Sequence, residues 1–177
     1  MLEIEGVSIR FGDNPEAVSD TTFTVYDGDR LAVVGETGSG KSVLLLAALG
    51  LLPSSARITG SIRLNGRELL GCREQELNRI RGKEIAYIPQ GSGNGLNPLF
   101  TVGHQLCETI RKHQRCTRRE ALIQAAMLLE SFGLEQSEAL CRSYPFQLSG
   151  GMRQRVLIAM GIAAGAGLVL ADEPTKG

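Results

Sequence analysis

Hydrophobic positions recur along this chain with two different periods, and together they predict a domain that mixes strands and helices. Apolar residues alternate with polar ones over residues 2–9, 22–26 and 58–64, which is typical of half-buried β-strands. Short unbroken apolar runs at 31–34, 85–88 and 168–171 instead predict strands buried on both faces. Turn signals, Asp27-Gly28-Asp29 and Asn65-Gly66, separate the alternating segments.

A helical period appears after the first buried run and dominates the middle of the chain. The pattern predicts helices over residues 43–49, 74–81, 101–113, 117–132 and 151–164. Thr101 is a candidate cap, and Thr117 with Glu120 has capping-box spacing. The apolar positions of the fourth helix are predicted to face the core: Leu122, Ala125, Ala126, Leu129 and Phe132. A glycine-rich connector over residues 91–95 precedes this helical block, which interrupts a β-α alternation.

Composition narrows the class of protein. The 177 residues are 42% hydrophobic and 21% charged, enough for one substantial core. Lys plus Arg (19) equals Asp plus Glu (19), so no global field attracts nucleic acid or an anionic membrane. The four cysteines lack metal-ligand spacing and no signal sequence precedes them, which predicts free thiols in a reducing cytosol. The longest apolar run contains Gly50 and ends at Pro53, too short for a membrane span.

A glycine-rich loop between a predicted strand and a predicted helix has the spacing of a phosphate-binding loop. Its residues are Gly35, Glu36, Thr37, Gly38, Ser39, Gly40, Lys41 and Ser42. The glycines let backbone N–H groups turn around a polyphosphate, and the helix start adds positive dipole. Lys41 would supply a point charge and the Ser42 hydroxyl could ligate Mg²⁺. The physics of this loop does not by itself distinguish ATP from GTP.

Two adjacent carboxylates, Asp172 and Glu173, follow the last buried run directly. Ligands bind at the carboxyl ends of strands in open parallel sheets, so these side chains would lie at a binding edge. Asp172 can hold the Mg²⁺ shell and Glu173 can polarise an attacking water. The alternative is that the two carboxylates only form a solvated acidic turn before Pro174. The phosphate loop upstream favours the interpretation that they serve a nucleotide site.

The segment from Leu148 to Arg155, read as Leu-Ser-Gly-Gly-Met-Arg-Gln-Arg, opens the last helix. Ser149, Gly150 and Gly151 at a helix N-terminus form an anion site. This octet resembles the signature motif of ATP-binding-cassette (ABC) ATPases, and it lies between the other two motifs, which match Walker A and Walker B of that family. Gln90 falls where the family has its Q-loop glutamine, and Phe11 falls where an aromatic residue stacks on adenine.

The resemblance covers essentially the whole chain and implies a P-loop α/β fold. It implies a single nucleotide-binding domain, with a catalytic core at residues 1–90 and 146–177, an N-terminal antiparallel β subdomain and an inserted helical subdomain at 91–145. It further implies that two subunits, identical or paralogous, clamp two ATP molecules head to tail. Lys41 of one subunit and Ser149-Gly150-Gly151 of the other would then hold opposite sides of each triphosphate. Ser42, Gln90 and Asp172 would serve Mg²⁺, with Glu173 as the base for the attacking water and Gln90 assisting catalysis.

A finer similarity points to importers. Gln90 followed by Leu96-Asn97-Pro98 and Thr101-Val102-Gly103 is similar to the ATPase subunits of dipeptide, oligopeptide, nickel and metallophore importers. That group implies permease partners in the membrane, a peripheral position on its cytoplasmic face and no nucleic acid. Coupling to the permease would pass through residues 92–100. The glycine-rich 91–95 stretch and the ending Thr175-Lys176-Gly177 depart from the group, so the solute stays open.

Two rival interpretations stay beside the importer ATPase. A soluble ABC ATPase of DNA repair or translation is disfavoured by the single cassette, the neutral charge and the absence of zinc-ligand spacing. A truncated module that binds ATP without turnover is the other. The family continues beyond Walker B with a dimer-contacting turn and a histidine that senses the γ-phosphate, whereas this sequence ends at Gly177. We therefore expect a fragment of a longer ATPase, in which ATP binding survives better than hydrolysis.

Two histidines and a basic cluster are interpreted as solvated helix positions and not as binding sites. His104 and His113 have no ligand partner at metal-binding spacing, so solvated helix positions are expected. The cations between Arg111 and Arg119 could face anionic lipid or RNA, but no aromatic residues are interleaved with them. A solvated helix boundary is the favoured interpretation.

Overall fold

The alternating segments near the amino terminus form an antiparallel sheet. A computed structural model describes residues 1–91 and 95–174, which divide into two units, Met1–Arg79 and Ile80–Gly177. The first unit has strands in the order β2-β1-β3-β4, all antiparallel. Its elements are β1 (Leu2–Phe11), β2 (Val18–Val25), α1 (Lys41–Ala48), β3 (Ala56–Leu64), β4 (Arg67–Glu68) and α2 (Glu74–Ile80). The three alternating segments and both turns are thus confirmed.

A bulge in β1 shows why two glycines face each other in this sheet. The β1–β3 register shifts between Glu5 and Ser8, and Gly6 there has φ 56°. Opposite it, Gly60 has φ 91°, and a Cβ on Gly60 would lie 2.5 Å from the carbonyl oxygen of Gly6. Only glycine fits that approach. The bulge keeps Ile4, Val7 and Ile9 all buried despite their odd spacing.

The predicted buried strand over residues 31–34 is wrong in this structure. These residues carry no strand assignment, and Val34 is 90% exposed. No strand in the described part of the chain pairs with them. An apolar run forms a buried strand only where ladder partners flank it, and the run itself carries no information about its partners.

The second unit combines a parallel pair of strands with helices. Its elements are β5 (Ile85–Ile88), α3 (Val102–His113), α4 (Arg118–Ser131), α5 (Ser137–Arg142), a 3₁₀ turn (Pro145–Gln147), α6 (Gly150–Ile162) and β6 (Leu168–Ala171). β5 and β6 pair in parallel from Ile85 with Leu168 to Ile88 with Ala171, so both predicted strands are present. The expectation that β6 is buried on both faces is wrong, since Val169 is 41% exposed and only Leu170 is buried. α6 packs closely on β5, because a Cβ on Gly161 would lie 2.8 Å from Cγ1 of Ile88. The short α5 and the 3₁₀ turn were not predicted.

Helix starts in this unit follow the sequence closely. Thr101 caps α3 by accepting from the backbone N–H of His104. Thr117 and Glu120 form the predicted capping box of α4. The core stripe of α4, however, runs through Ala121, Ala125 and Leu129, all fully buried. Leu122 is 46% exposed, contrary to prediction, because one residue along a helix rotates a side chain by about 100°. Ala126 and Phe132 are partly buried at the edge of this core.

The remaining side chains of interest are mostly structural. All four cysteines are free thiols; Cys107 and Cys141 are buried. His113 is not solvated as expected but packs on Gly82, and burial lowers its pKa, with smaller contributions from Lys112 and Lys83. The cations from Arg111 to Arg119 are exposed. Among the described residues no trio of His, Cys, Asp or Glu has metal-binding geometry.

Among the same residues, none of the helices combines the length and hydrophobicity needed to cross a bilayer.

Candidate functional site

The glycine-rich loop has a backbone that only glycine permits at one position. Gly38 and Gly40 have φ of 86° and 88°, in the left-handed region. A Cβ on Gly40 would lie 2.1 Å from the carbonyl oxygen of Ala17, at the approach to β2. The loop therefore lies directly against the backbone before β2, and Gly40 is the point of closest approach.

Lys41 turns its side chain back over the loop. Its Nζ donates to the carbonyl oxygens of Gly35 (2.7 Å) and Glu36 (2.6 Å) and to Oγ of Ser39 (3.3 Å). Lys41 and Ser42 are the first residues of α1, and both are half-buried. No described side chain caps this helix, and its first turn has no acidic residue. Unsatisfied N–H groups, a helix dipole and an ammonium group together fit an anion such as a phosphate.

Phe11 lies at the end of β1, in the same unit as the loop. The N–H of Ala17 donates to the carbonyl oxygen of Ile9 (2.8 Å), and the carbonyl of Ala17 adjoins Gly40. Phe11 is two residues beyond Ile9, paired with Ala56 and half-buried. The predicted aromatic residue is therefore on the strand end that adjoins the loop, and its stacking role stays a prediction.

Asp172 directly follows β6 and is held by the neighbouring strand. Its N–H donates to the carbonyl oxygen of Ile88 (2.9 Å), and the residue is only 6% exposed. The hydroxyl of Tyr87 lies 3.5 Å from Oδ2 of Asp172. Burial raises the pKa of Tyr87, and the negative charge of Asp172 and this hydrogen bond raise it further. Asp172 is thus a buried carboxylate at the carboxyl end of a parallel strand pair, as predicted.

Glu173 meets Gln90 through their side chains. Nε2 of Gln90 donates to Oε2 of Glu173, across 83 residues of sequence. Glu173 itself has φ 46°, a left-handed conformation that is unusual for a residue other than glycine. Gln90 and Glu173, singled out separately by sequence, are therefore in direct contact. The glycine-rich connector after Gln90 lies mostly outside the described residues, since 92–94 are among those not described.

The signature-like octet forms the start of α6. Ser149 lies at the helix N-terminus, as predicted, and caps the helix by accepting from the N–H of Met152 (3.2 Å). Apart from its chain neighbours and the nearby backbone of its own helix, no described atom lies within 4 Å of the point where a Cβ on Gly151 would be. Leu148 is buried, and Arg155 anchors the helix by donating to the carbonyl oxygen of Gly133 (2.9 Å). This leaves an open, glycine-lined helix start on a firmly packed helix.

Two side chains that contact this site were not found from sequence. Tyr87 reaches Asp172, and Gln154 in the middle of the octet donates from Nε2 to the carbonyl oxygen of Pro174 (2.9 Å). A tyrosine in a buried strand is a weak signal of a polar partner nearby. Gln154 carried no signal at all, because its contact is made across twenty residues by tertiary folding.

Comparison with known protein families decides the membership of the chain. A family model described as "ABC transporter" matches residues 18–176. The chain belongs to the ABC transporter family. The resemblance carried by the three motifs is thereby confirmed.

Relatives of this ABC chain include import proteins. It is 42% identical over 179 residues to the oligopeptide transport ATP-binding protein OppD of Mycobacterium tuberculosis, covering 99% of the chain and 29% of that protein. The Escherichia coli protein of the same name is 42% identical over 178 residues, with 99% and 53% covered. The glutathione import ATP-binding protein GsiA of Salmonella typhimurium is 40% identical over 185 residues, with 99% and 30% covered. The ABC chain thus spans 29% to 53% of the length of these relatives.

Solved ABC cassettes share its fold. A dimeric post-hydrolysis structure of the ATP-binding cassette MJ0796, bound to ADP and Pi, superposes with a TM-score of 0.86 at 26% identity. The match covers 99% of this chain and 75% of the other. The predicted α/β P-loop fold of an ABC ATPase is therefore confirmed.

Proposed function

We propose that this ABC chain binds ATP with Mg²⁺ and hydrolyses it as the energy-supplying ATPase part of a membrane importer of peptides. The observation that carries the proposal is the contact of Gln90 with Glu173 directly after the buried Asp172. A charged carboxylate fixed by an amide donor beside a second, buried carboxylate is what a hydrolytic site requires.

The loop residues supply the phosphate contacts in this proposal. Backbone N–H groups from Gly38 to Ser42 and the ammonium group of Lys41 hold the β- and γ-phosphates. Lys41 then exchanges its contacts with the carbonyls of Gly35 and Glu36 for phosphate oxygens. Glu36, Thr37 and Ser39 complete the loop around the nucleotide, and Phe11 stacks on its base.

The carboxylates and Gln90 supply the chemistry. Ser42, Asp172 and Gln90 offer the hard oxygen ligands that Mg²⁺ prefers, directly or through water. When bound, the ion neutralises the charge that develops on the phosphates. Glu173 accepts a proton from the attacking water as its oxygen bonds to the γ-phosphorus and the bond to the β-phosphate oxygen breaks. The amide of Gln90 orients the carboxylate of Glu173 for that transfer.

A second ATPase subunit completes the proposed assembly. The N–H groups at the open start of α6, with Ser149, Gly150 and Gly151, would bind the triphosphate held by that subunit, which lies head to tail. The dimeric cassette structure similar to this chain supports the presence of a second ATPase subunit. Permease subunits would bind the assembly at the cytoplasmic face of the membrane. The proposed function requires no nucleic acid.

Peptides are the solute class that the relatives favour. Two of them are named for oligopeptide transport and a third for import of glutathione, itself a tripeptide. Nickel and metallophores, which the sequence similarity also allowed, have no such support among these relatives. Uptake of labelled peptides by cells that express the ABC chain, with nickel uptake measured alongside, tests the solute class.

Steady-state phosphate release from Mg·ATP tests the enzymatic part. We expect Glu173→Gln to lose the turnover that the wild-type chain shows while it retains ATP binding, and Lys41→Ala to lose binding itself. Equal turnover in wild type and Glu173→Gln would contradict the proposal. ATP binding without release would leave a nucleotide-binding module that does not turn over, and turnover in a protein that never co-purifies with a permease would favour a soluble ABC ATPase.

A further inference from the structure

Gln154 connects α6, the helix that begins within the Leu148–Arg155 octet, to the backbone that follows Glu173. It lies on α6, five residues after the cap Ser149, and is 6% exposed. Its Nε2 donates to the carbonyl oxygen of Pro174 (2.9 Å). Pro174 is the residue directly after Glu173, so a single side-chain hydrogen bond connects the two motifs of this unit.

Packing alone does not account for a glutamine here. Oε1 of Gln154 is buried and has no hydrogen-bond partner among the described residues. A buried amide with only one of its two polar groups hydrogen-bonded destabilises the fold, whereas an apolar side chain of similar shape avoids that loss. The amide donor of Gln154 is therefore better explained by a need to hold the carbonyl group of Pro174 in place.

The conformation of Glu173 shows what the bond could hold. With φ 46°, Glu173 is in a region that is strained for a non-glycine residue and persists only when its surroundings fix it. On one side, the N–H of Asp172 donates to the carbonyl oxygen of Ile88 (2.9 Å). On the other side, the Gln154 bond holds Pro174. The strained residue is thus restrained from both sides.

We propose that Gln154 is a positioning residue that keeps Glu173 in its catalytic conformation and couples it to α6. The inference rests on the proposed function, in which Glu173 is the base. Five residues of helix separate Gln154 from Ser149, about 7.5 Å along the axis. A shift at the open start of α6 therefore moves the carbonyl of Pro174 through one hydrogen bond, and with it Glu173.

The test compares Gln154→Met, which keeps length and removes the donor, with Gln124→Met at an exposed position of α4. For Gln154→Met we expect kcat to fall about tenfold with KM for ATP within about twofold of wild type. Amide hydrogen exchange in a peptide containing Asp172 and Glu173 should rise about tenfold, while peptides from the rest of α6 stay unchanged. Gln124→Met should match wild type in all three measurements.

Hydrogen exchange separates failure of this inference from failure of the proposed function. No phosphate release from wild type, with faster exchange at residues 172–173 in Gln154→Met, would overturn the ATPase proposal and keep the anchoring. Wild-type turnover with an unchanged kcat or unchanged exchange in the variant would overturn the inference. A parallel fall of kcat and rise of KM, with faster exchange throughout α6, would show a merely structural role and also overturn it. If Gln154→Met does not fold, Gln154→Leu, which is also apolar and lacks the donor, takes its place with the same expected results.

Discussion

Tyr87 and Asp172 meet at the edge of the parallel pair, with the phenol hydroxyl 3.5 Å from the carboxylate Oδ2. Burial raises the pKa of Tyr87, and the charge of Asp172 and the hydrogen bond add to that rise. Because the hydroxyl orients the proposed Mg²⁺ ligand, Tyr87→Phe should raise the Mg²⁺ concentration needed for half-maximal activity by about two- to fivefold.

The same variant has a spectroscopic signature. The chain contains three tyrosines, so phenolate absorbance followed with rising pH resolves few components. Tyr87→Phe should remove a component that titrates above the ordinary pKa of 10.0. Removal of an early component instead would contradict the placement of Tyr87 beside Asp172.

Gly40→Ala should abolish nucleotide binding and destabilise the first unit. The new Cβ would lie 2.1 Å from the carbonyl oxygen of Ala17, and the φ of 88° adds about 1–2 kcal/mol of strain for alanine. Gly12→Ala is a matched control, because its φ is also positive (57°) and no described atom lies within 4 Å of its Cβ. The melting temperature should fall far more for Gly40→Ala than for Gly12→Ala. Equal decreases in the two variants would show that the contact with Ala17 is unimportant.

Gly151→Ala should separate binding from turnover. Its Cβ would meet no described atom within 4 Å, so the folded chain should tolerate it with an unchanged melting temperature. Fluorescent-nucleotide affinity should also stay within about twofold, while phosphate release falls at least about tenfold, since the methyl group lies where the second subunit's nucleotide would bind. Gly161→Ala should behave oppositely and lower stability, because its Cβ would lie 2.8 Å from Ile88. Full turnover by Gly151→Ala would contradict the proposed role of the helix start.

Glu68 should make the first unit sensitive to acid. Burial acts to raise its pKa, but hydrogen bonds from the Ser61 hydroxyl and the N–H groups of Leu70, Ile62 and Leu69 outweigh it, so the pKa lies below the ordinary 4.5. A carboxyl with a lowered folded pKa stabilises the fold above its unfolded pKa and loses that contribution as pH falls through the folded value. The melting temperature should therefore decrease once the pH is lowered below about 4.5.

Glu68→Gln isolates this contribution. The variant should melt lower than wild type at neutral pH and show a smaller decline in acid, because it has no carboxylate to protonate. Asp13→Asn removes one negative charge from an exposed turn and serves as the control. A Glu68→Gln curve parallel to that of wild type would place the acid sensitivity elsewhere.

Cys141 should resist alkylation in the folded chain. Burial, with smaller contributions from Cys107 and Glu138, raises its pKa to about 11. About one thiol in ten thousand would then be ionised at pH 7, and only the thiolate reacts. Mass mapping after a short iodoacetamide pulse should find label first at the half-buried Cys72 and Cys116, and at all four cysteines in denaturant. Early labelling of Cys141 would contradict its burial.

Local features of this fold could be predicted from sequence because their causes are local. Thr117 and Glu120 are three residues apart, so their capping box is visible in the letters alone. The alternation of β1 and β3 and the Asn65-Gly66 turn likewise depend on neighbouring residues. Predictions that depend on distant partners were wrong. Residues 31–34 have no ladder partner among the described strands, and the core-facing positions of α4 were misplaced by one residue at Leu122.

The candidate site divides in the same way. Spacing alone was enough to single out Lys41, Ser149 and Asp172, since each motif is contiguous in sequence. The contacts that orient these motifs join residues far apart, as Gln90 does with Glu173 and Gln154 with Pro174. No periodicity or spacing carries such pairs, so they emerge only once the chain is folded. The catalytic and binding roles of the individual residues stay predictions.

The hydrogen bonds of Lys41 make phosphate binding an exchange of partners. The carbonyls of Gly35 and Glu36 and the hydroxyl of Ser39 already use the ammonium's donor capacity. An incoming triphosphate must therefore compete with neutral oxygens of the chain itself, and the net gain is the difference between charged and neutral acceptors. Small neutral ligands would gain almost nothing from that replacement. In the proposed site the loop would therefore favour phosphorylated nucleotides over uncharged nucleosides, because only charged oxygens gain from replacing those carbonyls.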